Sequence, residues 1–116
     1  MGVDDLDQCD DAELDQLGIG VIGVGTDGTV RRYNLAAARR SGLSRWRVLG
    51  RTLDEVAGAM GAAEIAARVS SFAGAGGPGG RARFECQLAR RGVAQPATVI
   101  LRRGGVRADV YVCIAS

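Results

Sequence analysis

Residues 19–24 form an apolar run that breaks at Asp27-Gly28 and is followed by Thr29-Val30-Arg31-Arg32-Tyr33-Asn34. This pattern predicts two strands joined by a tight hairpin, because Asp-Gly accepts the positive φ of a type I′ turn. Residues 35–40 contain three consecutive alanines and no alternation, so they predict a short helix with its alanine face against the sheet, ended by Gly42. Ser44 is placed to cap a helical turn carrying Trp46, Val48 and Leu49, and Gly50 stops it. Residues 53–56 predict a further short turn, with Gly58 and Gly61 loosening the connection. An amphipathic helix is expected over 62–72, where Ile65, Val69 and Phe72 fall at i, i+4 and i+7 while Glu64, Arg68 and Ser71 point away. AGAGGPGG, residues 73–80, reads as a loop.

The period then changes to two. Ala82, Phe84, Cys86 and Leu88 share one face and Arg83, Glu85 and Gln87 the other, which describes a half-buried strand. Residues 97–103 and 108–114 predict two more strands with a hairpin at Gly104-Gly105. The last of them is apolar on both faces, Val110, Val112 and Ile114 against Tyr111 and Cys113, and so requires cover on both. The helices between residues 35 and 72 can cover one side. The piece left for the other is the start of the chain, where Leu6, Leu14 and Leu17 interrupt an acidic stretch and Asp11 is placed to cap a helix. The expected division is an acidic N-terminal arm, 1–16, and a domain, 17–116, of α+β class: a five-stranded antiparallel sheet with short helices on one face and the arm on the other.

At 116 residues, 47% of them hydrophobic, the chain is long enough for one core. Charge is uneven. The first sixteen residues hold seven acids and no base, and the remainder sets fifteen arginines against six acids, about +9. A basic body neutralised in cis by its arm is the favoured reading over a nucleic-acid surface. Lysine and histidine are absent, and Cys9, Cys86 and Cys113 are widely spaced with no CxxC, so neither zinc nor another metal is expected. No segment approaches the ~20 apolar residues of a membrane span and no leader is recognisable, so a cytoplasmic location away from membranes is expected.

VIGVGTDGTVRRYNLAAARRSGLSRWRVLGRTLDEV, in which a strand, a DG turn, a strand ending in Tyr33-Asn34, an Ala-containing helix and a Leu-Gly-Arg follow in order, resembles the opening of a PAS domain. Within PAS it is most similar to the photoactive yellow proteins, from residue 14 to 56, with further matches at Phe84-Glu85 and 96–101. The resemblance implies a PAS fold and a sensory or regulatory role. It also implies what is missing: Ala59 stands where the chromophore-bearing cysteine would be, and Ala37 where a buried glutamate would meet the chromophore's phenolate. Tyr33 keeps its partner position, with Ser41 at the neighbouring hydroxyl. Light sensing is therefore not carried over, and no cofactor is expected.

The candidate ligand-contacting residues are Ile22, Tyr33, Ala37, Ser41, Ala59 and Cys86. A closed pocket among them favours a neutral hydrophobic or aromatic ligand; a collapsed core favours a scaffold, since voids cost roughly 20–25 cal/mol per Å³. Tyr33 reads either as a donor to a ligand or as a packed ring bonded to backbone, and Cys86 either as a small apolar side chain or as a nucleophile. Arg39, Arg40, Arg45 and Arg47 either form a solvated face or admit an anion, and Trp46 marks a contact surface or else takes a core or lid position. The sequence reading is a regulatory module without an output domain, acting by non-covalent binding of a small ligand or a protein, with a homodimer through the sheet face and arm as one form of the latter. The alternatives are an enzyme or accessory protein of a biosynthetic pathway, with Tyr33 as acid and Cys86 as nucleophile, and a ligand-free scaffold. Absence of histidine and of paired carboxylates weighs against catalysis.

Overall fold

The structure, a computed structural model, describes residues 3–74, 81–90 and 93–115. A short 3₁₀ turn, Val3–Gln8, leads into α1, Asp11–Asp15. Then come β1 (Gly20–Val24), β2 (Val30–Tyr33), α2 (Leu35–Ser41), α3 (Arg45–Val48), α4 (Leu53–Ala59) and α5 (Ala63–Gly74). Three strands complete the chain: β3 (Arg81–Arg90), β4 (Val93–Arg103) and β5 (Val110–Ala115). All pairings are antiparallel and the sheet order is β2-β1-β5-β4-β3, so the last strand occupies the centre. The loop expected at 73–80 lies, from residue 75 on, outside the described residues.

The centre strand needs its two covers and has them. Val110, Val112 and Ile114 pack with Ile22, Leu101 and Val99 beneath α4 and α5 in the larger core. On the opposite face Tyr111, Cys113 and Val21 are buried under Leu6, Cys9 and Leu14 of the arm. The alanine face of α2 lies close on β1: a Cβ at Gly20 would come within 3.2 Å of the Ala37 Cα, so a side chain there would require α2 to give by a few tenths of an ångström. Gly42, at φ 76°, ends α2 in the left-handed conformation that glycine adopts at least cost.

Several local expectations are corrected. The first hairpin closes as a Gly25–Gly28 turn, with the Gly28 N–H donating to Gly25 O at 3.0 Å, so Thr26 and Asp27 are central rather than Asp27-Gly28. Asp27 Oδ1 accepts from both the amide (3.1 Å) and the hydroxyl (2.7 Å) of Thr29, an Asx arrangement that competes with the type I′ turn. The cap of α1 is Asp10, not Asp11, because Asp10 sits three residues before Glu13. Each accepts from the other's amide, at 2.8 and 3.1 Å, in a capping box. Helix α4 continues past 56 to Ala59, taking in Gly58. Strand β4 begins at Val93 rather than 97: Pro96 pairs with Gln87 of β3, and β5 pairing starts only at Thr98, so the proline faces no ladder partner on that side. The β4–β5 connection runs over 104–109, closed by Gly104 N–H to Asp109 O and Gly105 N–H to Ala108 O, both 2.8 Å.

Candidate functional site

Alternation on β1, β2 and β3 turns Ile22, Tyr33 and Cys86 toward the helices, and Ala37 meets them from α2; all four are buried in the larger core. The Tyr33 hydroxyl lies 2.5 Å from Ser41 Oγ, 3.1 Å from Leu43 O and 3.3 Å from Ala37 O. A phenol has one proton and two lone pairs: the Leu43 and Ala37 carbonyls compete for the proton, and Ser41 can donate to one lone pair. Ser41 Oγ in turn accepts from the Leu43 N–H at 3.1 Å. Burial raises the Tyr33 pKa, with the Ser41 bond opposing.

Ala59 is elsewhere. Helix α4 buries Leu53, Val56 and Ala57, and a residue two positions beyond Ala57 is turned about 200° from it. Ala59 is therefore exposed, and lines an open surface cleft of about 320 Å³ with Leu43, Arg47, Val48, Arg51, Glu55 and Val56. The structure brings Ile22, Tyr33, Ala37, Ser41 and Cys86 to one interior and leaves Ala59 outside it. A second open cleft, about 390 Å³, lies between the first hairpin, α5 and β5 and includes none of the six.

The three cysteines are buried and form no disulfide. Burial raises the Cys86 thiol, Glu64 adds to this and Arg40 opposes it; burial pushes Cys113 up to about 11. Both are protonated at neutral pH, which removes the thiolate that nucleophilic chemistry needs. Among the described residues no cluster of metal-ligating side chains is found.

Two polar constellations escaped the sequence reading. The first is Asn34. Its Oδ1 accepts from Ala37 N (3.0 Å), capping α2, and from Val21 N (2.8 Å) on β1; its Nδ2 donates to Leu14 O (2.8 Å) and Ile19 O (2.9 Å). One buried side chain thus joins the arm, the sheet and the helix layer. An Asn immediately before an alanine-rich helix is a recognisable cap signal, but nothing local announces the other three bonds.

The second is a latch beneath the arm. Buried Arg32 projects from the outer face of β2 and donates to Leu6 O (2.9 Å), Cys9 O, Asp11 Oδ1 (3.3 Å) and the Tyr111 hydroxyl (3.0 Å). Tyr111 donates to Asp7 Oδ1 at 2.8 Å, and Asp7 also accepts from the Val106 and Arg107 amides. Burial acts to raise the Asp7 pKa, but the Tyr111 hydroxyl and the amides of Val106, Arg107 and Ala108 outweigh it, and the net shift is downward. Burial pushes Tyr111 up to about 12. A buried guanidinium is tolerated because its donors are occupied.

An antiparallel sheet in this order, with its helices inserted between the second and third strands, is the PAS fold, and it is shared by PAS and LOV sensory domains. The chain is similar over 97% of its length to 98% of a photoactive yellow protein domain from the sensor histidine kinase Ppr of Rhodospirillum centenum, at 25% identity and TM-score 0.82. It is also similar to the PAS domain of an HTR-like protein from Haloarcula marismortui, at 23% identity over 91% of this chain and 86% of that one, TM-score 0.66. Similarity to a LOV protein of Rhodobacter sphaeroides, at 17% identity and TM-score 0.57, covers 90% of this chain and 61% of the other. No protein-family model and no curated protein matches the sequence. Among the described residues no helix is long and apolar enough to cross a membrane.

Proposed function

We propose that the chain is a PAS regulatory module that works through protein contact, with an interior filled by its own side chains. The observation that carries this reading is the Tyr33 hydroxyl, whose one proton is met by the Leu43 and Ala37 carbonyls and which lies against Ser41, while Ile22, Ala37 and Cys86 are buried in the same cluster as its ring. A ligand at these residues would have to displace those bonds and open a packed core, at a cost of about 1–3 kcal/mol for each polar group left unpaired. The exchange of a thiol and a glutamate for Ala59 and Ala37, implied by the resemblance, agrees with a protein that carries no covalent pigment. Regulation then passes through surfaces, either to another protein or to a second copy meeting the arm and the outer sheet face. The β5 part of that face lies under the arm. A self-association surface would therefore consist of the arm's exterior and the polar outer side of β3.

Native mass spectrometry of freshly purified full-length protein tests this reading together with an absorption spectrum. The expected result is the mass of the polypeptide alone or of an integral multiple, with no visible absorbance. A retained small molecule, or a pigment bonded to any thiol, overturns it.

A further inference from the structure

The sheet has two edges, and the fold treats them differently. At β2 the edge is occupied: the Val30 N–H donates to Arg51 O (2.8 Å), Val30 O accepts from the Gly50 N–H (2.9 Å), and Thr29 bridges to Thr52. At β3 it is open. The strand has ten residues, runs against β4 from Arg81–Arg102 to Arg90–Val93 in one unbroken register, and contains no proline. Among the described residues no strand or loop pairs with the backbone of residues 82–88 on the other side. Shortness, a bulge or a proline ordinarily blunts such an edge, and β3 has none of them. What it has is charge of both signs. Arg83 and Glu85 are exposed on the outer side, and neither has an ion-pair partner among the described residues.

Those charges define what can pair there. Two copies meeting edge to edge about a two-fold axis run antiparallel, and each side chain keeps its own side of the sheet, so a residue opposes one of its own parity. With Phe84 on the axis, Arg83 of each copy opposes Glu85 of the other, Arg81 opposes Gln87, and on the helix side Ala82 opposes Cys86. No like charges meet. Moving the axis by one residue sets Glu85 against Glu85 or Arg83 against Arg83; at Ala82 Arg81 meets Arg83, and at Cys86 Arg83 and Glu85 no longer meet. Directly opposed like charges destabilise a strand pair, and opposite charges stabilise it. We infer that a second copy of this chain docks at the β3 edge, antiparallel about Phe84 and held by reciprocal Arg83–Glu85 pairs, so that two five-stranded sheets become one. This rests on the protein-contact reading above and names the partner; the polar outer side of β3 enters through these two residues.

An unrelated extended segment is the weaker occupant, because the charge order of β3 is its own complement. The other source of carboxylates is the arm of a second copy. Asp7, Asp10, Asp11, Glu13 and Asp15 are engaged within their own chain, and the remaining acids of that stretch are Asp4 and Asp5. Replacing these two separates an arm contact from an edge contact.

Sedimentation velocity of the full-length protein over a range of concentrations reads the association. The expected result is a monomer–dimer equilibrium that stops at two, because the β2 edge is occupied, and that weakens as salt is raised. Arg83→Glu and Glu85→Arg should each weaken it by roughly tenfold, and the two substitutions together in one chain should restore it. An equimolar mixture of the two single variants should dimerise where neither does alone, which also shows that both are folded. Asp4→Asn with Asp5→Asn should leave the equilibrium unchanged. A monomer at every concentration, growth beyond dimers, undiminished association of the single variants, a mixture that stays monomeric, or a loss with the Asp4 and Asp5 substitutions each overturns the inference. A small molecule retained in the interior would instead defeat the filled-interior reading and leave this measurement as it is, so the two fail separately.

Discussion

Asn34 spends both lone-pair directions of its amide oxygen and both amide protons on four backbone groups from four places in the chain. Loss of an N-cap costs about 1 kcal/mol and each buried backbone group left unpaired a further ~1–3 kcal/mol. Asn34→Ala should therefore lower the unfolding free energy by roughly 3 kcal/mol or more in urea titrations. Asn34→Asp keeps the two acceptor bonds and should fall between; equal losses for both variants would show that the Nδ2 bonds to Leu14 and Ile19 carry the effect. Asp7 sets an acid limit. Its folded pKa lies below its ordinary value of 3.8, so its contribution is complete above pH 3.8 and is lost as pH falls through the folded value. Asp7→Asn should flatten that part of the stability–pH curve, and an unchanged acid limb would contradict the latch. Tyr111 sets an alkaline limit of opposite sign: stability is complete below its ordinary 10 and declines as pH rises toward about 12.

The arm behaves as a covering layer of its own. It contributes Leu6, Cys9 and Leu14 to a cluster with Val21, Tyr111 and Cys113, and Arg32 ties its backbone carbonyls to the sheet. Its removal at residue 16, the division proposed from charge and composition, should leave Cys113 open to alkylation and raise binding of a hydrophobic dye. In the full-length protein Cys113 and Cys86 should alkylate slowly at neutral pH, because both are buried and protonated. Fast native labelling of Cys113 would mean that the arm is not seated. The need for this cover was readable in β5, where apolar residues occupy both faces. The bonds that secure it were not, since the Arg32–Tyr111 and Asp7–Tyr111 pairs span 79 and 104 residues of sequence.

At the scale of the whole molecule, two unequal clusters share the strands β1 and β5: a larger one beneath the helices and a smaller one beneath the arm. The smaller depends on a short segment and on ion-assisted bonds that denaturant competes for, so it should open first. Thiol labelling across a urea series should modify Cys113 at lower urea than Cys86. Coincident labelling would mean that arm and sheet unfold as one unit. The surface has its own division, with Asp7, Asp10, Asp11, Glu13 and Asp15 of the arm engaged in hydrogen bonds or ion pairs and α3 carrying the exposed Arg47 and the single tryptophan.

Periodicity is a property of neighbours, so the chain alone determined the five strands, the helices between the second and third, and the demand for two covers on the last. Alternation also brought Ile22, Tyr33 and Cys86 to one side. It did not reveal that α4 runs far enough to turn Ala59 outward, or that Asp27 would draw the first turn back by one residue. Tertiary structure alone decided which partners the buried polar groups have: Ser41 and Leu43 for Tyr33, arm carbonyls for Arg32, a carboxylate for Tyr111. Those pairings depend on how strands register and how a distant segment folds back across them, and no local period encodes either.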